Sequence, residues 1–340
     1  MRGAQMTHEM NDQPQVLAAI AGRRDELVSE LSELVGERPA GVVLIARGSS
    51  DHAAVYGRYV LELAAGRPVA LAAPSLHTLY GADVDYSGYL AVAVSQSGQT
   101  PEITTVLEAV RRAGATGVAI TNEASSPLAE EADAVIDLQA GEEQAVPATK
   151  TFTAQVAAFA LLAEALGDVP WADEDWQELP DAVQRVLDDE RPAAAVAEAI
   201  GEAPGLIVAG RGFCYGIALE VALKLKETCG LHAQGYSAAD LRHGPIAVVE
   251  QDFPVLVLRT SGPTADDLDD LVVDLRNRGG QVFVAGTGDG VDLPVSDGLA
   301  EALVTMPLAV RGQQVARELA RWRGLDPDNP EGLSKVTITH

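Results

Sequence analysis

Residues 210–245, GRGFCYGIALEVALKLKETCGLHAQGYSAADLRHGP, follow an apolar strand and begin with a glycine turn. The next segment is predicted to be a helix. It places Glu220, Lys224 and Glu227 at spacings of four and three residues, so all three side chains project from one face. A loop that contains His243 comes after the helix. An acid, a cation and an imidazole thus lie close together in a chain that has few lysines and histidines, and we expect the chemistry here.

The composition limits the class of partner. The chain has 340 residues, of which 47% are hydrophobic, and this predicts two domains with large aliphatic cores. The net charge of −26 argues against nucleic acid and against anionic membranes as partners. The excess of acidic residues is compatible with a high-salt cytoplasm or with a GC-rich coding bias, and we keep both explanations.

The cysteines and the N-terminus indicate the compartment. Cys214 and Cys229 are too few for a disulfide framework or a metal cluster, which favours a cytoplasmic location. The first residues, MRGAQMTHEMNDQP, lack the apolar region of a signal peptide, and no apolar run is long enough to span a bilayer. No zinc or calcium ligand spacing is present, so we expect no metal and no cofactor.

Strands and helices alternate along the chain. Residues 9–37 have the period of a helix. Apolar segments at 41–50, 68–74, 88–100, 116–122 and 134–138 are predicted to contain strands, the first and third of them ending in glycine turns, and helical segments separate them. This order predicts an α/β fold with a parallel sheet. We interpret 167–181, which is rich in proline, tryptophan and acids, as the connection between domains, and we expect a helix at 181–202.

The pattern then repeats. Arg47-Gly48 matches Arg211-Gly212, and Ser97-Gly98 matches Ser261-Gly262 at the same offset of 164 residues (211 − 47 and 261 − 97). We therefore predict two α/β domains of one topology that arose by duplication. The predicted parts are a helical segment (1–37), a first domain (38–167), a connection and helix (168–202), a second domain (203–327) and a C-terminal tail (328–340).

The loop Ser95-Gln96-Ser97-Gly98-Gln99-Thr100 is a candidate anion site, because it joins the end of a strand to the start of a helix. Hydroxyls and backbone N–H groups cluster there, and the helix end adds partial positive charge. The alternative is an ordinary helix cap, but a cap needs one hydroxyl and this loop has three. Ser49 and Ser50 in the first glycine turn should lie at the same sheet edge.

Three further stretches permit a structural or a functional interpretation. Lys150, in ATKT after a Glu-Glu pair, is either part of a capped helix start or a site residue. Glu227 beside Lys224 is either a surface ion pair or, given its apolar surroundings, a proton-transfer pair. His243 is either an incidental loop residue or a member of the site. Lys335 lies in a tail that is either solvated or docked through VTIT (336–339).

These motifs, SQSGQT, GEEQAVPATKTFT, LEVALKLKE with DLRHGP, and a lysine near the C-terminus, resemble the double sugar-isomerase (SIS) domain proteins. The likeness extends from about Glu9 to the end of the chain. It is greatest to the isomerase half of glucosamine-6-phosphate synthase and to related stand-alone deaminases. The resemblance implies two flavodoxin-like three-layer domains and a homodimer with shared active sites.

The resemblance also implies roles for single residues. The phosphate and sugar would be bound by Ser49, Ser50, Ser95, Gln96, Ser97, Gly98, Thr100 and Ala148. Glu227 resembles the base that moves a proton between C1 and C2, and Lys224 the cation that assists it. His243 resembles a ring-opening residue from the partner subunit, and Lys335 a tail lysine that engages the open-chain carbonyl.

Three departures from the synthase pattern shape the hypothesis. The sequence has no glutaminase domain, it has Pro147-Ala148 where the synthase has Ala-Ser, and its tail after Lys335 is one residue shorter. The leading hypothesis is conversion of glucosamine 6-phosphate and water to fructose 6-phosphate and ammonia. The alternatives are another phosphosugar isomerase or deglycase, acting on a fructosamine or galactosamine phosphate, and a non-catalytic sugar-phosphate sensor.

Overall fold

The computed structural model describes residues 2–36 and 38–335. The predicted docking of 336–339 lies outside these residues. The first half of the chain contains α1 (Ala4–Asn11), α2 (Gln13–Gly22), α3 (Arg24–Val35), β1 (Val42–Ile45), α4 (Ser49–Ala65), β2 (Val69–Leu71), α5 (Ser75–Thr78), β3 (Leu90–Val94), α6 (Pro101–Arg112), β4 (Thr116–Thr121), α7 (Pro127–Glu131), β5 (Ala134–Asp137) and α8 (Lys150–Leu166).

The second half repeats the alternation. It contains α9 (Asp173–Asp188), α10 (Arg191–Ile200), β6 (Gly205–Gly210), α11 (Cys214–Cys229), β7 (His232–Ser237), α12 (Ala238–Arg242), a 3-10 turn (Pro245–Val248), β8 (Pro254–Arg259), α13 (Ala265–Asn277), β9 (Gln281–Gly286), β10 (Leu293–Pro294) and α14 (Thr305–Trp322). Within the described ranges, no helix has both the length and the apolarity that crossing a bilayer requires.

The chain divides into two compact units. The N-terminal unit comprises residues 15–143 and 150–170, and the C-terminal unit comprises residues 2–14, 144–149 and 171–335. Each unit has one parallel sheet of five strands, in the orders β2-β1-β3-β4-β5 and β7-β6-β8-β9-β10. These are the same order, 2-1-3-4-5, when the strands of each sheet are counted separately, which is the flavodoxin-like arrangement. The predicted α/β fold with tandem flavodoxin-like domains is confirmed.

The sheets form because their central strands are almost wholly apolar. β1 and β3 are buried along their full length, as parallel strands covered on both faces must be. In the N-terminal unit, α6 packs its apolar stripe (Ile103, Val106, Leu107 and Val110) on one face of the sheet. In the C-terminal unit, the apolar side of α13 packs in the same way against β8 and β9.

Two helix predictions need correction. Residues 9–37 do not form one helix, because the chain breaks at Asp12 and Arg23 to give α1, α2 and α3. Pro14 has no N–H to donate to the Met10 carbonyl oxygen, which accepts a hydrogen bond from Gln13 Nε2 instead, and Gly22 weakens the end of α2. The apolar period continues across both breaks, so the pattern alone did not reveal them.

The predicted connection at 167–181 is wrong from Asp173 onward, where α9 begins. This helix continues through Pro180, which removes one backbone hydrogen bond. It forms because Trp176, Leu179 and the four apolar residues that follow on the same face are all buried. The helix predicted at 181–202 is likewise two helices, with a break at residues 189–190.

Candidate functional site

The candidate anion loop, residues 95–100, joins the end of β3 to the start of α6. The hydroxyl oxygens of Ser95 and Thr100 lie 3.4 Å apart, and the Ser97 hydroxyl accepts a hydrogen bond from the Gln99 N–H at 3.2 Å. Thr100 occupies the position before α6, yet its side chain makes no capping hydrogen bond. The alternative of an ordinary cap therefore lacks the capping bond that it requires from Thr100. The hydroxyl groups of the loop gather instead at the positive end of a 12-residue helix.

Gly98 gives the loop its tight path. Its φ of +61° lies in the left-handed region, and a Cβ at this position would lie 2.0 Å from Ser126 Oγ. The carbonyl oxygen of Gly98 also accepts a hydrogen bond from the Leu128 N–H. The loop therefore rests directly on the start of α7, and only glycine fits at this point.

The first glycine turn lies beside this loop. β1 and β3 are parallel neighbours with Ile45 opposite Ala93, so the segments that follow them emerge at the same edge of the sheet. Arg47 donates to both carboxylate oxygens of Glu102, at 2.8 and 2.9 Å, and this hydrogen-bonded pair raises the pKa of the guanidinium. The ion pair links the turn that precedes Ser49 to the first turn of α6.

Ser50 is held from the side of α8. Its hydroxyl oxygen accepts a hydrogen bond from Gln155 Nε2 at 3.1 Å, and only 8% of Ser50 is exposed. Gln155 was not singled out from the sequence. The signal that could have identified it is an amide within the otherwise apolar run TAQVAAFALL.

A groove of about 740 Å³ borders the anion loop in the N-terminal unit. Its lining includes the hydroxyl of Ser97 and the amides and carboxylates of Gln96, Gln99, Asn122, Glu123, Asp137, Gln139, Glu142 and Glu143, together with Ala124 and Gly141. A groove of this kind favours ligands that offer hydroxyl or ammonium donors.

The proton-transfer helix, α11, follows a glycine turn in the C-terminal unit. Gly210 is the last residue of β6. A Cβ at this position would lie 2.5 Å from the Cys214 carbonyl oxygen, so the end of the strand and the start of α11 approach closely. From this start, Lys224 is only 1% exposed, and its Nζ lies 2.5 Å from Glu227 Oε2 and 3.3 Å from Glu220 Oε1. The interpretation as a surface ion pair is therefore wrong.

The electrostatics give the three side chains different chemistry. Burial opposes the charge on Lys224, but attraction and hydrogen bonds from Glu220 and Glu227 outweigh it and raise the pKa of the ammonium. Lys224 is thus a fixed cation at neutral pH. The side chain of Glu227 is 21% exposed and that of Glu220 only 2%, so Glu227 is the carboxylate that a ligand can reach. The helical spacing predicted that Glu220 lies on this face, but no role was predicted for it.

Segment 144–149, which carries Ala148, is fastened within the C-terminal unit. The buried carboxylate of Glu9 accepts hydrogen bonds from the N–H groups of Gln144 and Ala145, at 2.5 and 3.1 Å. Lys335 Nζ donates to the Ala145 carbonyl oxygen at 2.8 Å. Lys335 is therefore docked on this segment, which favours the docked alternative for the part of the tail that is described.

His243 follows the short helix α12. Its ring is exposed and makes no hydrogen bond or ion pair with the described part of the chain. The structure thus groups Ser95, Ser97 and Thr100 in one unit, and Lys224 with Glu227 in the other. Lys150 is buried in the first turn of α8. The roles expected for His243 and Lys335 stay predictions.

The second copy of the anion loop, residues 259–264, donates hydrogen bonds to a carboxylate of the chain itself. The carboxylate of Glu301 accepts hydrogen bonds from Thr264 Oγ1 at 3.1 Å and Thr260 Oγ1 at 3.4 Å. It lies so close to Gly262 that a Cβ there would be 2.4 Å from Glu301 Oε2. Burial raises the pKa of Glu301, although the two threonine hydroxyls oppose this shift. The hydroxyl groups of Thr260 and Thr264 therefore already donate to the Glu301 carboxylate.

Comparison with known proteins gives a consistent result. The SIS domain family matches residues 38–165 and 200–289. A glutamine–fructose-6-phosphate aminotransferase (isomerizing) from Methanothermobacter thermautotrophicus is 32% identical over 98% of this chain and 57% of its own length. The chain thus spans less than two thirds of this curated relative.

Solved structures match over nearly the whole chain. A Silicibacter pomeroyi protein described as a candidate phosphosugar isomerase has a TM-score of 0.86 and 34% identity, over 96% of this chain and 100% of that one. A glucosamine-6-phosphate deaminase from Thermotoga maritima has the same fold, with a TM-score of 0.75 and 22% identity over 96% of this chain and 100% of that one. This chain belongs to the SIS domain family and is homologous to the isomerase part of the aminotransferase.

Proposed function

We propose that this chain is a sugar-phosphate isomerase that converts glucosamine 6-phosphate and water to fructose 6-phosphate and ammonia. The observation that carries the proposal is the buried triad on α11. A charged lysine is held between two carboxylates, only one of which is accessible. A carboxylate beside a fixed ammonium is suited to moving a proton next to a carbonyl group.

The proposal gives the anion loop the binding of the phosphate and gives α11 the proton transfer. The hydroxyls of Ser95, Ser97 and Thr100, with backbone N–H groups at the start of α6, bind the phosphate. In the open-chain sugar, Glu227 removes the proton from C2, and the electron pair of the C–H bond forms the C1–C2 double bond. The ammonium of Lys224 stabilises the negative charge that develops on the C1 oxygen.

The remaining steps complete the balance of atoms. A proton from solvent converts the C1 oxygen to a hydroxyl and gives the enolamine. Glu227 then returns its proton to C1, which gives an iminium ion at C2, and loss of one N–H proton to solvent leaves the imine. Water adds to this imine, and ammonia leaves as the C2 ketone forms. By resemblance, His243 opens the ring before these steps, and Lys335 engages the open-chain carbonyl. We also propose a homodimer, since the resemblance places His243 in the site of the partner subunit.

The test is release of ammonia from glucosamine 6-phosphate by the purified protein. The Glu227→Gln variant should lose about 100-fold or more in kcat while its affinity for fructose 6-phosphate is retained. Glu301→Gln is the matched control, because it also replaces a carboxylate of the C-terminal unit but should not change kcat. No ammonia from the wild-type protein would refute the deaminase reaction, and unchanged turnover in Glu227→Gln would remove Glu227 as the base.

A second candidate is an isomerase or deglycase for a phosphosugar with a substituted amine. Two observations favour it: Ala148 supplies no hydroxyl at its position, and several acidic residues line the groove beside the anion loop. Such a groove would suit a substituent with ammonium or hydroxyl donors. A panel of fructosamine and galactosamine phosphates would separate the candidates by relative kcat/KM. A non-catalytic sensor fits less well, because binding alone does not require the buried Lys224 triad.

A further inference from the structure

Gln155 stands out as a polar side chain inside the apolar helix α8. It is 1% exposed, and its neighbours along the helix, from Lys150 to Ala163, are all buried. An amide in such surroundings loses its bonds to water and destabilises the fold unless both of its ends find partners.

The amide of Gln155 is only half satisfied. Its Nε2 donates to Ser50 Oγ at 3.1 Å, whereas its Oε1 is buried and has no hydrogen-bond partner in the described residues. Leucine or methionine would fill the same space without this cost. A group kept in spite of an energetic penalty points to a role other than packing.

The packing of two helices holds Gln155 against Ser50. Ser50 and Gly57 are seven residues apart on one face of α4, and Gln155 and Phe159 are four apart on one face of α8. A Cβ at Gly57 would lie 2.5 Å from the Phe159 ring, so the helices approach closely at this point. The amide therefore has little freedom to move away from the hydroxyl.

This contact sets the direction of the Ser50 hydroxyl. When the amide N–H donates to one lone pair of Ser50 Oγ, the hydroxyl hydrogen must point elsewhere. We propose that Gln155 is a positioning residue that makes the Ser50 hydroxyl a donor toward an oxygen of the bound sugar. The inference rests on the proposed function, which makes Ser50 a sugar-binding residue.

The test is a binding measurement with two ligands. Gln155→Met keeps the volume of the side chain but removes the donor. By calorimetry, it should weaken binding of fructose 6-phosphate about tenfold and leave binding of inorganic phosphate unchanged. Val156→Ala is the matched control, because it perturbs the same helix at a buried position that has no polar group. A loss of affinity for both ligands in Gln155→Met, or for neither, would overturn the inference.

A double-mutant cycle with Ser50→Ala separates positioning from general damage. If Gln155 acts through Ser50, then Gln155→Met should have no further effect in the Ser50→Ala background. If the losses of affinity from the two substitutions add, the inference is refuted. The proposed function still holds in that case, provided that the wild-type protein binds sugar phosphate and turns it over. A wild-type protein that binds no sugar phosphate would refute both.

Discussion

Replacing Lys224 by methionine is the perturbation with the largest expected effect on stability. Methionine fills similar space but leaves Glu220, whose side chain is 2% exposed, and Glu227 without their shared cation. At an effective dielectric constant of about 20, the contacts at 2.5 and 3.3 Å are each worth roughly 5 to 7 kcal/mol before desolvation. Methionine has no charge to desolvate, so the lost attraction is partly offset by the desolvation cost that is no longer incurred. We expect the free energy of unfolding to fall by about 3–5 kcal/mol at pH 7.

Tryptophan fluorescence is the assay that reports on the affected part of the chain. Trp171, Trp176 and Trp322 all belong to the C-terminal unit, as does Lys224. Urea denaturation followed by this signal therefore measures the unfolding of that unit. The loss should shrink as the pH is lowered from 7 to 5, because a buried carboxylate without a cation has a raised pKa and is stabilised by protonation.

The matched control removes the stranded charge as well. In the Lys224→Met background, Glu220→Gln should restore about 1–3 kcal/mol, since an amide is far cheaper to bury than a lone carboxylate. A loss below about 1 kcal/mol in Lys224→Met, or a double variant less stable than the single one, would show that the triad is not the buried charge network described here.

Two more predictions concern the two copies of the glycine loop. Gly98→Ala should weaken phosphate binding and lower stability by about 1–3 kcal/mol, because its Cβ would meet Ser126. Gly81→Ala is its control, with a similar φ of +57° and no atom within 4 Å, so it carries only the backbone strain. Glu301→Gln should gain stability relative to the wild type as the pH rises above 4.5. The raised pKa of Glu301 means that its stabilising protonated form is lost as the pH rises, so a constant difference across denaturation curves at pH 4 to 7 would contradict this sign.

The parallel sheets were predictable because buried strands are continuous apolar runs. The predicted runs at 41–50 and 88–100 contain β1 and β3, and the parallel α/β interpretation followed from such runs and the helices between them. Helix boundaries were less predictable. The apolar period continues across the breaks at Asp12 and Arg23 and concealed them, although Pro14 and Gly22 mark the two places. The passage of α9 through Pro180 depends on which side chains the rest of the fold buries, and the local pattern does not contain that information.

The same division holds for the candidate site. Lys224 and Glu227 were predictable as neighbours because helical spacing alone places them on one face. The spacing did not show that Lys224 is fully buried and balanced by two carboxylates, which follows from packing around α11. The contact of Gln155 with Ser50 joins residues 105 positions apart, and no periodicity predicts it.

The two glycine loops show how a sequence match can conceal a chemical difference. Ser97-Gly98 and Ser261-Gly262 agree at the fixed offset, and each precedes a helix. In the second loop, however, the Thr264 hydroxyl donates to Glu301, a residue 37 positions further along. An internal carboxylate and an external phosphate compete for the same kind of donors, so a loop that binds the first has fewer left for the second. The repeat thus predicts two similar folds, whereas the neighbouring side chains favour the first loop alone as the phosphate site.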